Sequence, residues 1–151
     1  MLVVALLGAC DPGGSYRVPG GTEVMDNGRR FDLAGNSGTS LRVYASWFTS
    51  SVSVELAITN KGSTDLSISP KQLRAADRQG PLRRRDARGE IRCAGREGEK
   101  LVALRPGDTC QMSSDFDVDV DRDHLRTLTV THEGVTRDGA GVSVSVTLEL
   151  D

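Results

Sequence analysis

The sequence predicts an all-β fold, an antiparallel β-sandwich of about seven to nine strands. Three observations predict it. Apolar residues alternate at period two over several runs, clusters of Gly, Pro, Asn and Asp separate those runs, and no stretch carries apolar residues at helical spacing with caps. Such alternation marks strands with one face in a core and the other toward water. A barrel is the competing architecture, because periodicity does not reveal closure.

The elements follow in order. Arg30-Phe31-Asp32-Leu33 is a short strand ahead of the turn-prone Gly35-Asn36-Ser37-Gly38. Leu41, Val43, Ala45 and Trp47 then share one face, and Val52, Val54, Leu56 and Ile58 share one on the next run. Asn60-Lys61-Gly62-Ser63 supplies a turn before Leu66 and Ile68, and Pro70 ends that strand. Residues 73–76 form another, stopped by Asp77-Arg78-Gln79-Gly80. The run 101–104 leads into the turn Arg105-Pro106-Gly107-Asp108. Met112, Phe116 and Val118 line the face of the following strand, and Leu128 and Val130 belong to another. Asp138-Gly139 marks a hairpin tip before Val142, Val144, Val146, Leu148 and Leu150, the cleanest alternation in the chain.

The opening is of another kind. Residues 1–7 carry no charge, Gly8 and Ala9 are small, and Cys10 follows. The order Leu7-Gly8-Ala9-Cys10 resembles the lipobox of bacterial lipoproteins. That resemblance implies removal of residues 1–9 as a signal peptide and acylation of Cys10 by chains such as palmitate. It places the protein in the bacterial cell envelope, lipid-anchored and extracytoplasmic, with inner or outer membrane left open. The other reading is a hydrophobic first strand with an incidental cysteine, but Asp11-Pro12-Gly13-Gly14-Ser15 is a stretch that cannot continue a strand. Nine residues are also too few to span a bilayer, which needs about 20. The expected organisation is therefore a signal peptide at 1–9, lipidated Cys10 with a Gly/Pro-rich flexible tether to residue 22, and a sandwich domain over 23–151.

Composition narrows the function classes. The net charge of −2 argues against a general nucleic-acid or anionic-membrane binder, since those usually show a basic surplus. Aromatics are 4% of residues with a single Trp, which poorly supplies a stacking platform for bases or sugars. Once Cys10 is assigned to lipid, Cys93 and Cys110 remain as a pair, expected to form a disulfide outside the cytosol. Two thiols 17 positions apart with no nearby His supply too few ligands for a metal.

The stretch Val54-Glu55-Leu56-Ala57-Ile58-Thr59-Asn60-Lys61-Gly62-Ser63, followed later by Leu104-Arg105-Pro106-Gly107-Asp108-Thr109 and a strand containing Phe116, resembles small immunoglobulin-like domains of bacterial envelope proteins. The likeness covers roughly residues 41–150 and rests on turns and core strands, so it implies a fold and transfers no functional residue. Trp47 precedes both cysteines, which separates the chain from antibody-type domains.

Two charged constellations stand out. Asp115, Asp117, Asp119, Asp121 and Asp123 recur at every second position, opposite Phe116, Val118 and Val120. Calcium is the sharp reading, with Asp117, Asp119 and Asp121 as ligands, yet the EF-hand loop's Gly and Glu are missing. Same-face residues on a strand also lie about 6.6–6.8 Å apart, too far to converge on one cation unaided. The bland reading is a solvated face. The run Arg83-Arg84-Arg85, followed by Arg88, Arg92 and Arg96, is a candidate anion-binding loop, for Arg holds phosphate bidentately. Internal pairing between the Arg-rich and Asp-rich segments is as plausible as an external ligand.

No nucleophile elbow, zinc-protease helix or phosphate loop is present in the sequence. His132 precedes Glu133-Gly134 at an expected strand end and reads as solvent-facing, whereas Met112 reads as core. The function expected is a non-catalytic binding or adaptor module without a cofactor, held at a membrane by its anchor and meeting another envelope protein. A protease inhibitor using the Arg-rich loop and a calcium-responsive domain using the Asp row are the alternatives.

Overall fold

The structure, a computed structural model, describes residues 13–26, 28–69, 73–85, 91–93, 101–118 and 123–151. Within them the chain is all-β, antiparallel and sandwich-like. The first strands are β1 (Gly13–Arg17), β2 (Thr22–Met25), β3 (Arg29–Ala34), β4 (Thr39–Phe48) and β5 (Ser51–Asn60). Short strands follow: β6 (Leu66–Ile68), β7 (Leu73–Asp77), β8 (Gly80–Pro81), β9 (Arg83–Arg84), β10 (Ile91–Cys93) and β11 (Val102–Leu104). The last are β12 (Thr109–Asp117), β13 (Thr127–His132), β14 (Val135–Arg137), β15 (Ala140–Gly141) and β16 (Val144–Leu150), with one 3-10 turn at His124–Arg126. This is more than the seven to nine expected, because strands of two or three residues are too short to show alternation.

β2, β3, β4, β5 and β12 run side by side, with β9 and β10 sharing the outer border of β12. β16, β13, β7 and β8 continue the same hydrogen-bonded path beyond β1. A separate small sheet has the order β11-β6-β14-β15. Every long strand alternates buried and partly exposed residues, as its sequence demands. Val43, Val52, Leu56, Ile58, Leu128, Val130 and Leu148 lose essentially all contact with solvent. Burying side chains of this size contributes about 1.5–3 kcal/mol each, which makes this shared interior the main source of stability.

β1 corrects the expected tether. Gly13, Gly14 and Ser15 pair with Phe48, Trp47 and Ser46 of β4, while Tyr16 and Arg17 pair with Leu150 and Glu149 of β16. One strand thus stitches both parts of the path together, and the folded domain begins ahead of residue 23. Tyr16 and Val18 are buried, and the Tyr16 hydroxyl donates to the Leu125 carbonyl at 2.8 Å. Burial, aided by Asp77, holds that phenol protonated well above its usual range. The segment is hard to read as a strand because its glycines are there for contact, not flexibility. A Cβ on Gly14 would come within 2.8 Å of the Leu150 side chain.

The border formed by β9 and β10 is interrupted. Arg84 lies opposite Phe116 and Ile91 opposite Met112, so three more residues separate them than an unbroken antiparallel ladder needs. At the opposite end of the molecule from Phe48, Asn60 organises the loops. Its Nδ2 donates to the Leu104 and Thr64 carbonyls, and its Oδ1 accepts from the Gly62 N–H and from Arg137. Arg137 also reaches the Ser37 carbonyl. A Cβ on Gly62 would fall 2.6 Å from the Arg137 guanidinium, so a larger residue there would displace that side chain from Asn60.

Candidate functional site: an outer sheet face and its Arg–Asp edge

Where β3, β4, β5 and β12 turn their alternate residues away from the core, they form an open, polar concavity of about 1230 Å³. Two Arg–carboxylate pairs order its charges. Arg42 grips Asp32 with two hydrogen bonds, Nε to Oδ1 at 2.6 Å and Nη2 to Oδ2 at 2.9 Å. Those bonds hold the Asp32 carboxyl below the usual carboxylate range and raise Arg42. Arg30 donates through Nε and Nη2 to Glu55 at 3.1 and 3.0 Å and lies over the Tyr44 ring at 5.6 Å. Beyond the Arg42 row, toward Asn60, Thr59 and Thr109 share a hydrogen bond of 2.7 Å across the β5–β12 ladder. Bidentate Arg–carboxylate pairs fix direction as well as charge, so the face is a pre-ordered array of donors and acceptors.

The Arg-rich and Asp-rich segments meet at one end of this sheet. Arg83 sends Nε and Nη2 to Asp117 Oδ2 at 3.0 and 2.8 Å, and Arg85 sends Nε to Oδ1 at 2.6 Å. The hydrogen bond from Arg85, then that from Arg83, keeps the Asp117 carboxyl ionised below its ordinary range. Arg85 further donates to the carbonyl and hydroxyl of Ser50. Arg84 turns to the Ser114 hydroxyl, and the Ser53 hydroxyl donates to Asp115 at 2.6 Å. Exposed pairs of this kind are screened by water and contribute little to stability, so they orient the edge more than they stabilise it.

The cysteines expected to pair lie directly opposite one another on β10 and β12, and Cys93 and Cys110 are joined as a disulfide. Cys10, Arg88, Asp119 and Asp121 lie outside the described residues. Among the described residues no group of three His, Cys, Asp or Glu side chains is placed to hold a metal ion. Asp117, the calcium candidate within them, is already engaged by two guanidiniums. The Arg83–Arg84 segment is a hydrogen-bonded border strand here, which gives the inhibitor reading no support.

His132 overturns the expectation of a solvent-facing ring: it is buried at the end of β13, between Leu73 and Val144. Its Nδ1 accepts from the Gly134 N–H at 3.1 Å. Nε2 makes no full hydrogen bond among the described residues. Desolvation outweighs the opposing pull of the Ser69 backbone and Glu133, and the imidazole is pushed down to about 4. A position ending a strand says nothing of what covers it, and here Leu73 of β7 lies alongside. Met112 is buried as expected.

The chain matches no family model, and neither a characterised protein nor a solved structure is significantly similar to it. Arg30, Asp32, Arg42 and Glu55 were not singled out by sequence reasoning. Their alternation with core residues places them on the outer face, but only the register of β3 on β4 and β4 on β5 brings the partners together.

Proposed function

We propose that this chain is a lipid-anchored cell-envelope protein that binds another envelope protein through the outer face of its large sheet, without catalysis. The lipobox-like Leu7-Gly8-Ala9-Cys10 supports the location, and the Cys93–Cys110 disulfide suits an oxidising compartment. The immunoglobulin-like resemblance agrees with this setting. The observation that carries the reading is the polar concavity with its locked Arg42–Asp32 and Arg30–Glu55 pairs. A surface whose charges are already held in place loses little freedom on docking, and its alternating signs select a partner of complementary pattern.

The test is photo-crosslinking in cells from a probe at Gln111, on the concave face, with a probe at Arg74, on β7, as control. One partner captured from Gln111 alone, and lost when Arg42→Glu reverses a charge, is the expected result. Equal, non-specific capture from both positions would sink the reading.

A further inference from the structure

We propose that the end of the domain carrying the β4–β5 turn rests against the phospholipid surface holding its own anchor, with Phe48 at the interface and Arg83 and Arg85 at the headgroups. This deepens the lipid-anchor reading above and rests on it.

The argument begins from chain length. Gly13 is paired with Phe48 at the start of β1, and only Asp11 and Pro12 stand between Gly13 and Cys10. Three residue steps span at most about 11 Å. An acyl group on Cys10 therefore holds this end within that distance of the lipid, because β1 is fixed in the sheet rather than forming a tether. What the end displays fits an interface. Phe48 is 63% exposed, one of three large apolar side chains left in solvent among the described residues. Thr49 and Ser50 beside it are exposed and uncharged.

Arg85 reaches this same turn through its bonds to Ser50, and Arg83, with a side chain 85% exposed, stands next to it on the border strand. Asp117 holds both guanidiniums, and with Arg84 set against Asp115 the described charges along this edge sum to one positive charge, carried by Arg83 and Arg85 where they face outward. An aromatic ring flanked by Arg side chains suits the boundary between acyl chains and headgroups. The other end, at Asn60, is nine strand positions away, about 30 Å along β5. Bound this way, the long axis of β4 and β5 points away from the membrane and leaves the concave face open along its side.

The full-length acylated protein, reconstituted in vesicles of phosphatidylethanolamine and phosphatidylglycerol with brominated acyl chains, tests this by tryptophan quenching. Trp47 is buried and supplies the same background in every variant. Phe48→Trp should show at least twofold greater quenching than either the parent or Lys61→Trp at the distant end. Both substitutions fall on exposed positions, so each variant folds. Equal quenching of the two variants, with the acyl chain on Cys10 verified by mass spectrometry, overturns the orientation and leaves the anchor standing. An unmodified Cys10 in protein from its native membrane overturns the anchor and the orientation together.

Discussion

Truncating Asn60 should be among the most damaging changes available outside the apolar core. The side chain is fully buried and makes four hydrogen bonds, two donated to carbonyls at 2.8 Å and two accepted at 3.0 and 2.9 Å. A net contribution of about 0.5–1.5 kcal/mol per bond gives a range of about 2–6 kcal/mol for Asn60→Ala. Water can reach the half-buried Thr64, Gly62 and Arg137 groups after truncation, whereas the Leu104 carbonyl stays sealed, so a loss near 3 kcal/mol is expected. For a chain of this size that lowers Tm by roughly 6–12 °C. Urea denaturation followed by far-UV circular dichroism reads the change as a shift in midpoint at constant m. Combining Asn60→Ala with Arg137→Ala should cost about 1 kcal/mol less than the sum of the single changes, since both remove one shared bond. Lys61→Ala, next door and exposed, should change little. A loss below 1 kcal/mol for Asn60→Ala, with m unchanged, would refute the reasoning that this network holds the loops at that end.

Two further outcomes are expected. His132 binds a proton near pH 6.5 in the unfolded chain but only near 4 when folded, so the unfolded state takes up more protons between those values. Stability is then full above about pH 6.5 and falls with acidification, by about 2–3 kcal/mol at pH 4.5; urea midpoints over that range, compared with those of His132→Gln, should show the slope vanish in the variant. Removing the disulfide with Cys93→Ser and Cys110→Ser should lower stability by about 3 kcal/mol in the chain-entropy account, and dithiothreitol should reproduce that loss in the parent but not in the double variant.

Long alternating runs were legible because burial imposes period two on them: β4, β5, β12 and β16 follow the predicted faces residue by residue. The pairing of Arg-rich and Asp-rich segments was also within reach, since one disulfide ties their neighbourhoods together. β1 was not, for its inward surface amounts to Tyr16 plus glycines chosen for close approach to Leu150 and β4. His132 was misread because its cover comes from β7, nearly sixty residues earlier in the chain. The concave face hid for a related reason. Each of its charged residues looks like ordinary solvated decoration until strand register fixes which carboxylate meets which guanidinium.

The break between β9 and β10 has a bearing on how these molecules coexist when concentrated on a surface. An unpaired margin of a sheet is a template on which a neighbouring copy can grow, and long straight margins are the hazardous ones. Here the margin alongside β12 is cut into pieces of two and three residues that are out of step with each other. A strand in register with one described piece is three residues out of step with the other, which disfavours continuous pairing of a second copy along that flank.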